Sequence, residues 1–355
     1  MATRKVALVV PNNVWFCPYV SIYIEVLKAH HVDYDIISWN RDGKKEDSIQ
    51  FNYKPKSRNP LMLLWAYQKF ALFAKKIIKK NGYDKLIVFT PQSGIFLGSF
   101  LKKEFRGKYI FDYRDLSIEQ NIYFKRPFLK VLRYSYANVI SSPGFKKFLP
   151  VGFNYILSHN FNVENVRKAL EEQGEVKLNR NPIDVLTIGG IRDYETNVQV
   201  LEHLLNVDGF TVRFVGKGPS AANLQKRSEE LNASNVYFEG YYPKEKENVY
   251  VSESSFLNIF YPRKPSHDSA ISNRFYNSLI YHKPMITTKY TTQGDYAETY
   301  KVGVALENCN NLPYILKSYL ETMDTQQFCL NCNQLLTVFL KDYEVWEKMV
   351  IEFIK

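Results

Sequence analysis

Cysteine is scarce in this chain, with Cys17, Cys309, Cys329 and Cys332 in 355 residues. Four are too few for a disulfide framework. The last two form a CxxC, but neither a second pair nor a neighbouring histidine accompanies them. Reduced thiols in a core are therefore expected rather than a zinc or redox site.

Long apolar runs are also lacking. The segment Val6–Val10, behind a basic start, is too short for the apolar region of a secretory signal. No uninterrupted apolar segment approaches the ~18 residues that a membrane-spanning helix needs. The chain is expected to be cytoplasmic.

Three ligand-binding motifs are missing. No GxxxxGK[ST] is present, which disfavours a nucleoside triphosphatase, and the glycines at 189 and 190 do not form a GxGxxG dinucleotide fingerprint. Apart from Asp33-Tyr34-Asp35, which begins a predicted strand, no Asp-x-Asp is present, and no cluster of the kind that holds a metal beside phosphates is evident. Neither a metal nor a cofactor is expected.

The composition is globular, with 45% apolar and 23% charged residues, and the length suits two domains. Basic charge is concentrated in one half. Residues 1–160 hold 26 Lys and Arg against 11 Asp and Glu, a net of +15, whereas the remainder has a net of −4. The first half should attract an anionic partner, either nucleic acid or the inner face of a membrane.

Short apolar strands alternate with helices in both halves, which predicts parallel sheets covered on both faces. In the first half, strands are expected at 5–10, 34–38, 85–90, 108–113 and 138–142, with helices at 21–29, 61–80, 93–103 and 127–136. A linker with a short helix is expected at 158–182. In the second half, strands are expected at 183–190, 211–218, 235–240, 255–261 and 284–288, with helices at 197–206, 220–232, 245–251, 271–281, 311–322, 325–339 and 342–354.

Polar residues follow these strands in the second half, where open parallel sheets bind ligands. Arg192 follows Gly189 and Gly190, and Lys217 lies between Gly216 and Gly218, which permit close backbone approach. The helix at 271–281 opens with Ser272, Asn273 and Arg274. A helix N-terminus favours an anion, so a phosphate-bearing ligand is predicted there. Asn277, one turn further along the helix, is expected to hydrogen-bond a sugar hydroxyl of that ligand. Alternatively, Ser272 is only an N-cap and Arg274 a solvated surface charge.

The strings "NRFYNSLIYHKPMITT", "IGGIRDYETN", "RFVGKGP" and "VYFEGYYP" resemble the retaining glycosyltransferases of family 4, which have the GT-B fold. "FDYRDL", "SSPGFKKFLP" and "SHN" are similar to landmarks of the bacterial capsule, O-antigen and exopolysaccharide branch. The resemblance covers nearly the whole chain. It implies an α/β protein of two Rossmann-like, doubly wound domains facing across a cleft, with residues 1–160 binding the acceptor, residues 161–340 the nucleotide sugar, and a helix at 341–355 crossing back to the first domain.

The same resemblance implies roles in donor binding. Arg192 and Lys217 would neutralise the donor diphosphate, assisted by Asn273 and Arg274. Gly190, Gly216 and Gly218 would let the backbone beside these cations approach the donor. Glu239 and Tyr241 would lie near the nucleobase. The family often carries two glutamates eight residues apart; this chain has Ser269 and Asn277 there. Asn277 can still bind a ribose. His267 and Asp268 are possible substitutes for the first glutamate.

The basic first domain is expected to hold the acceptor. Asn12 and Asn13 follow the first strand, and Asp112, Arg114 and Asp115 close another. One aspartate would orient the acceptor hydroxyl and Arg114 would balance charge, or else an Asp–Arg ion pair fixes a loop. Retention of configuration needs no protein nucleophile if the leaving diphosphate itself helps to deprotonate the acceptor hydroxyl, so no nucleophile is assigned.

Apolar and aromatic side chains alternate with lysines at 61–80 and with basic residues at 123–136. This pattern suits a helix lying on an anionic bilayer, although a core helix whose solvent-exposed face carries basic residues has the same pattern. Together with the resemblance, this pattern predicts a metal-independent hexosyltransferase, peripheral on the inner face of the plasma membrane. It would move a sugar from a nucleotide diphosphate sugar (UDP as first guess) to a lipid-linked glycan of bacterial surface polysaccharide. No nucleic-acid partner is expected. The alternative is a non-catalytic nucleotide-sugar or glycan-binding scaffold.

Overall fold

The computed structural model describes residues 5–55, 57, 59–171 and 180–355. Two compact units are formed: unit 1 contains residues 1–160 and 341–355, and unit 2 contains residues 161–340. Part of the linker expected at 158–182, residues 172–179, lies outside the described residues. The short helix expected in this linker is present at Val163–Glu171.

Unit 1 is an α/β layer structure around a parallel sheet. Its described strands follow the order β3-β2-β1-β4-β5-β6-β7. Its elements are β1 (Lys5–Val10), α1 (Tyr19–Ala29), β2 (Asp33–Asn40), β3 (Ile49–Asn52), α2 (Pro60–Asn81), β4 (Lys85–Phe89), α3 (Pro91–Glu104), β5 (Tyr109–Tyr113), α4 (Ile122–Tyr134), β6 (Ala137–Ile140) and β7 (Tyr155–Leu157). The strands β1 and β5 are buried except for the half-buried Lys5 at the start of β1, as expected of parallel strands covered on both faces.

Unit 2 repeats this architecture, with the described strands in the order β10-β9-β8-β11-β12-β13, all parallel. Its elements are α5 (Val163–Glu171), β8 (Ile183–Gly190), α6 (Tyr194–Leu204), β9 (Phe210–Lys217), α7 (Ala221–Glu230), β10 (Val236–Glu239), α8 (Glu247–Glu253), β11 (Phe256–Ile259), α9 (Pro265–Ser269), α10 (Asn273–Ile280), β12 (Met285–Thr288), α11 (Thr292–Thr299), β13 (Gly303–Leu306) and α12 (Leu312–Thr322). The predicted α/β class with two Rossmann-like parallel sheets is confirmed.

The end of the chain differs from the prediction. One continuous helix, α13 (Thr325–Ile354), replaces the two helices expected at 325–339 and 342–354. Residues from 341 onward belong to unit 1. There, the Trp346 ring is fully buried and packs edge-on against Tyr23, with 4.8 Å between ring centroids. This aromatic contact anchors the C-terminal part of the helix to the core of unit 1.

Short elements escaped the sequence analysis. The strands β3, β7 and β13 and the helices α9 and α11 were not expected, and each has eight residues or fewer. Segments of this length carry too few periods of apolar residues to be distinguished from loops.

Candidate functional site

The carboxyl ends of the unit 2 strands surround a cavity of about 490 Å³. Parallel strands all end at the same edge of a sheet, so the loops that follow them meet there. The cavity is lined by Ile188, Gly189, Gly190, Arg192, Asp193, Tyr242, Lys244, Glu247, Tyr261, His267, Ala270, Ser272, Asn273, Arg274, Asn277 and Gln293. Seven of the predicted donor-binding residues are therefore brought together: Gly190, Arg192, His267, Ser272, Asn273, Arg274 and Asn277.

Glycines hold the loop after β8 in place. Gly216 has φ +131°, and a methyl group there would overlap the carbonyl oxygen of Gly189. At Gly218 the same group would overlap the carbonyl oxygen of Ile191. These glycines thus permit close approach between the ends of β8 and β9, and neither they nor the exposed Lys217 between them line the cavity.

Arg274 connects the first turn of α10 to the sheet. The guanidinium donates hydrogen bonds to the carbonyl oxygens of Ile188, Asn258 and Gly190, at 2.5, 3.2 and 2.9 Å. Arg274 is only 8% exposed, so the alternative of a solvated surface charge is wrong. Within the described ranges no carboxylate lies within ion-pair distance of this guanidinium, and its charge therefore remains available to an anion in the cavity.

Ser272 occupies the N-cap position of α10, but its side chain makes no capping bond. Its backbone N–H and its hydroxyl both donate to Oε1 of Gln293, at 2.9 and 2.8 Å. Gln293 is buried in the first turn of α11, a residue that the sequence analysis missed. The available sequence signal was Thr291, a residue type that caps helix N-termini. In the structure its hydroxyl accepts a hydrogen bond from the Gly294 N–H at 3.0 Å, at the start of α11.

Glu247 was also missed. Oε2 accepts from the Tyr242 hydroxyl at 2.7 Å, and Oε1 accepts from Nδ2 of Asn277 at 2.9 Å and from the Lys244 ammonium. Burial works to raise the pKa of Glu247, but these hydrogen bonds outweigh it and hold the pKa below the ordinary value of a glutamate. The carboxylate is ionised at neutral pH. No local pattern marks it as a cavity residue, because its partner in α10, Asn277, lies 30 residues away in sequence.

The two positions where the resemblance implied glutamates differ in their surroundings. Asn277 lines the cavity, and its side-chain nitrogen donates a hydrogen bond to Glu247. Ser269 is fully buried, and its hydroxyl donates to the Pro265 carbonyl oxygen at 2.8 Å, away from the cavity lining. His267 lines the cavity with Nδ1 3.2 Å from the Pro262 carbonyl oxygen, whereas Asp268 is held in a two-pronged ion pair by Arg263.

The loop after β10 contributes differently than expected. Glu239 accepts a hydrogen bond from the Tyr250 hydroxyl at 2.7 Å, and Tyr241 is exposed. Neither lines the cavity, whereas the next residue, Tyr242, does.

Unit 1 has its own smaller cavity, of about 150 Å³, at the carboxyl edge of its sheet. Asn12 and Asp115 line it together with Tyr19, Tyr67, Thr90 and Gln92. Asn13, in contrast, is buried. Its side-chain oxygen accepts from the Arg41 N–H at 2.9 Å and its nitrogen donates to Asn40 at 3.2 Å, so this amide fixes a loop.

Asp112 and Arg114 form an ion pair of 2.5 Å, both buried. Asp112 also accepts from the Tyr23 hydroxyl at 2.7 Å, and Arg114 donates to the Ser158 carbonyl oxygen at 3.1 Å. Burial raises the pKa of Asp112, against the opposing effect of Arg114. Asp112 is buried away from solvent, which matches the alternative that the Asp–Arg ion pair fixes a loop. Of the predicted residues Asp112, Arg114 and Asp115, Asp115 is the one that lines the cavity.

No group of three or more metal-ligating side chains is arranged to hold an ion, and no helix is long and apolar enough to cross a membrane, over residues 5–55, 57, 59–171 and 180–355.

Comparison with known proteins gave structural matches only. No protein-family model matches the sequence, and no curated protein is similar to it. Among solved structures, sucrose-phosphate synthase from Thermosynechococcus elongatus has a TM-score of 0.71 at 16% identity over 98% of this chain and 97% of that one. WaaG, a glycosyltransferase involved in lipopolysaccharide biosynthesis, has 0.62 at 11% identity over 97% and 99%. HepE from Anabaena, in complex with UDP, has 0.64 at 11% identity over 97% and 100%. The chain therefore has the α/β fold of the GT-B glycosyltransferases, with two Rossmann-like units.

Proposed function

We propose that this protein is a retaining glycosyltransferase that moves a sugar from a nucleotide diphosphate sugar to a glycan acceptor. The observation that carries the proposal is the unit 2 cavity, which is lined by Arg192 and by Arg274 in the first turn of α10. Among the described residues, Arg274 has carbonyl oxygens but no carboxylate as hydrogen-bond partners. A diphosphate placed there gains two cations and a helix N-terminus. The neighbour HepE, solved with UDP, supports UDP as the first donor nucleotide to test.

These groups also supply the catalysis that we propose. Departure of the nucleoside diphosphate leaves negative charge on its oxygens, and Arg192 and Arg274 stabilise that charge as it develops. In this proposal the basic residues take the role that a metal has in other transferases. Retention follows if the leaving diphosphate assists deprotonation of the acceptor on the same face of the sugar.

The acceptor is assigned to unit 1, residues 1–160, and the donor to residues 161–340. Asp115 and Asn12 line the smaller cavity and offer a carboxylate and an amide to sugar hydroxyls. Arg114 and Asp112 act through the loop that they fix, as positioning residues for Asp115.

We further propose that the acceptor is a lipid-linked precursor of a surface polysaccharide and that unit 1 lies on an anionic membrane. Leu61, Trp65 and Leu72 of α2 are 75, 50 and 56% exposed, and their spacing places them on one helical face. Lys76 and Lys79 continue this face and are also exposed. Apolar and basic side chains in this order suit a helix in the interface of a bilayer with anionic headgroups, and the net charge of +15 over residues 1–160 adds to the attraction.

Thermal unfolding in the presence of UDP, GDP, CMP, TDP and ADP, each with and without Mg²⁺, tests the donor site. A nucleotide at about one hundred times its dissociation constant should stabilise the protein by ~2.7 kcal/mol. We expect a magnesium-independent shift with one nucleotide, lost in Arg192→Ala. Release of that nucleotide from its sugar conjugates then tests turnover, with Lys217→Ala as a control that removes an exposed cation outside the cavity.

One observation favours a second candidate, a scaffold that binds the nucleotide sugar without turning it over. Ser269 stands at one of the two glutamate positions, and its hydroxyl is directed to Pro265 and not to the cavity. If a nucleotide raises the unfolding temperature of the wild-type protein but no sugar is transferred to any of a panel of acceptors, the result favours the scaffold. Absence of a shift with every nucleotide would overturn both.

A further inference from the structure

We propose that Glu247 makes the unit 2 cavity selective for ribonucleotides, by accepting hydrogen bonds from the ribose hydroxyls of the donor. The inference rests on the proposed function and deepens it, since it separates ribonucleoside diphosphates such as UDP, GDP and ADP from thymidine diphosphate, which lacks the 2′-hydroxyl.

The position of the carboxylate is the first argument. Glu247 stands at the start of α8, and its side chain is 13% exposed at the cavity surface. Tyr242 fixes one carboxylate oxygen and Asn277 the other, at 2.7 and 2.9 Å. A carboxylate restrained from both sides presents its remaining lone pairs in a fixed direction, which gives a hydrogen bond its selectivity.

The hydrogen-bonding capacity of the group is the second argument. An ionised carboxylate offers about four acceptor positions, and here three donors use it, among them Lys244. The Lys244 side chain is 73% exposed, so it can leave its position at little cost. Two positions are then open to a pair of hydroxyls on adjacent carbons, as in ribose.

Charge decides which part of the ligand lies against Glu247. A diphosphate is repelled by a carboxylate and attracted to Arg192 and Arg274, which line the same cavity. The group beside Glu247 must therefore be an uncharged hydroxyl donor. The ring of Tyr242, bonded to the same carboxylate, also lines the cavity and offers a flat face on which a base can stack. The nucleoside end of the donor meets both requirements.

The test compares UDP, GDP and ADP with their 2′-deoxy counterparts by isothermal titration calorimetry. For the nucleotide that binds, we expect the wild-type protein to prefer the ribo form by about tenfold, the effect of one hydrogen bond to a charged group. Glu247→Gln, which keeps the shape and removes the charge, should reduce this preference to about twofold or less. Glu245→Gln removes the same charge two residues away on the exposed surface and should leave the preference unchanged.

A charge relocation provides a second variant. Glu247→Gln combined with Asn277→Glu returns a carboxylate to the hydrogen-bonded pair from the other side. We expect it to restore most of the ribose preference. If Glu247→Gln does not fold, Glu247→Asp, which keeps the charge but withdraws it by one methylene, should show the loss instead.

The outcomes are distinct. A ribose preference that persists in Glu247→Gln overturns the inference. Wild-type protein that binds ribo and deoxy forms equally overturns it while the proposed function stands. Absence of binding by all six nucleotides overturns both.

Discussion

Arg274 donates a hydrogen bond of 2.9 Å to the carbonyl oxygen of Gly190, across 84 residues of sequence. The same guanidinium also holds the carbonyl oxygens of Ile188 and Asn258. One side chain of α10 therefore fixes the ends of β8 and β11 and carries a cation to the cavity. If the cavity binds the donor diphosphate as we propose, stability and anion binding are coupled at this residue.

Arg274→Lys should separate a planar guanidinium from a simple cation. A lysine ammonium keeps the charge but cannot reach three carbonyl oxygens in different directions. Leaving buried carbonyls unpaired should lower the free energy of unfolding by about 2 kcal/mol, measured by urea denaturation. Arg263→Lys, on the exposed surface beside Asp268, is the matched control and should change stability by less than about 0.5 kcal/mol. Equal effects of the two substitutions would contradict the structural role of Arg274.

Gly216→Ala should destabilise unit 2 through the β8–β9 contact. The new methyl group would overlap the Gly189 carbonyl oxygen, at a backbone φ of +131° that side chains rarely adopt. We expect a loss of about 2 kcal/mol or more in the free energy of unfolding. At Gly240 a methyl group meets nothing within 4 Å, so Gly240→Ala should be nearly neutral. Thermal unfolding of the two variants side by side measures the difference, and a neutral Gly216→Ala would show that the strand ends can move apart.

His159 should make the stability depend on pH. Burial lowers the pKa of His159, against the opposing effect of Asp342, whose carboxylate lies 3.0 Å away, and with the charge of Arg114 acting in the same direction as burial. The unfolded chain therefore takes up a proton at higher pH than the folded one. This contribution to stability is fully present above the unfolded pKa of about 6.5 and is lost as the pH falls from there toward the folded pKa.

Urea denaturation of the wild type and of His159→Gln, between pH 7.5 and pH 5, measures this effect. The difference in unfolding free energy between the two should shrink as the pH falls. Other titrating groups, including Asp112, cancel in the difference. A difference between wild type and His159→Gln that stays constant with pH would contradict the prediction.

The exposed face of α2 should bind anionic bilayers. We expect co-sedimentation with vesicles that contain phosphatidylglycerol, weaker with pure phosphatidylcholine and reduced by high salt. Leu61→Ser with Trp65→Ser should reduce binding by about tenfold, because each removes an exposed apolar group from the interface. Tyr314→Ser removes an equally exposed aromatic group from unit 2 and should have no effect. Unchanged binding in the α2 variant would move the membrane contact elsewhere or exclude it.

The sequence predicted β8 with the bounds that the structure has, because a short, mainly apolar run closed by two glycines forms a local pattern. It also predicted that Arg192, Ser272, Asn273, Arg274 and Asn277 lie at one edge of a sheet, since the ends of parallel strands meet. It could not identify Gln293 or Glu247. Their roles depend on hydrogen bonds to Ser272 and Asn277, across 21 and 30 residues.

By itself, the sequence determined the α/β class, the two parallel sheets, the edge that carries the cavity and the basic character of residues 1–160. These follow from periodicity and composition, which are local or additive properties of the chain. Only the tertiary structure decided that Asp112 is sealed beside Arg114, that Gly216 accommodates a neighbouring strand, and that a carboxylate from α8 meets Asn277. Each of these depends on which distant atoms share a desolvated space, because burial and hydrogen bonding, not residue type, determine whether a polar side chain supports the fold or faces a ligand.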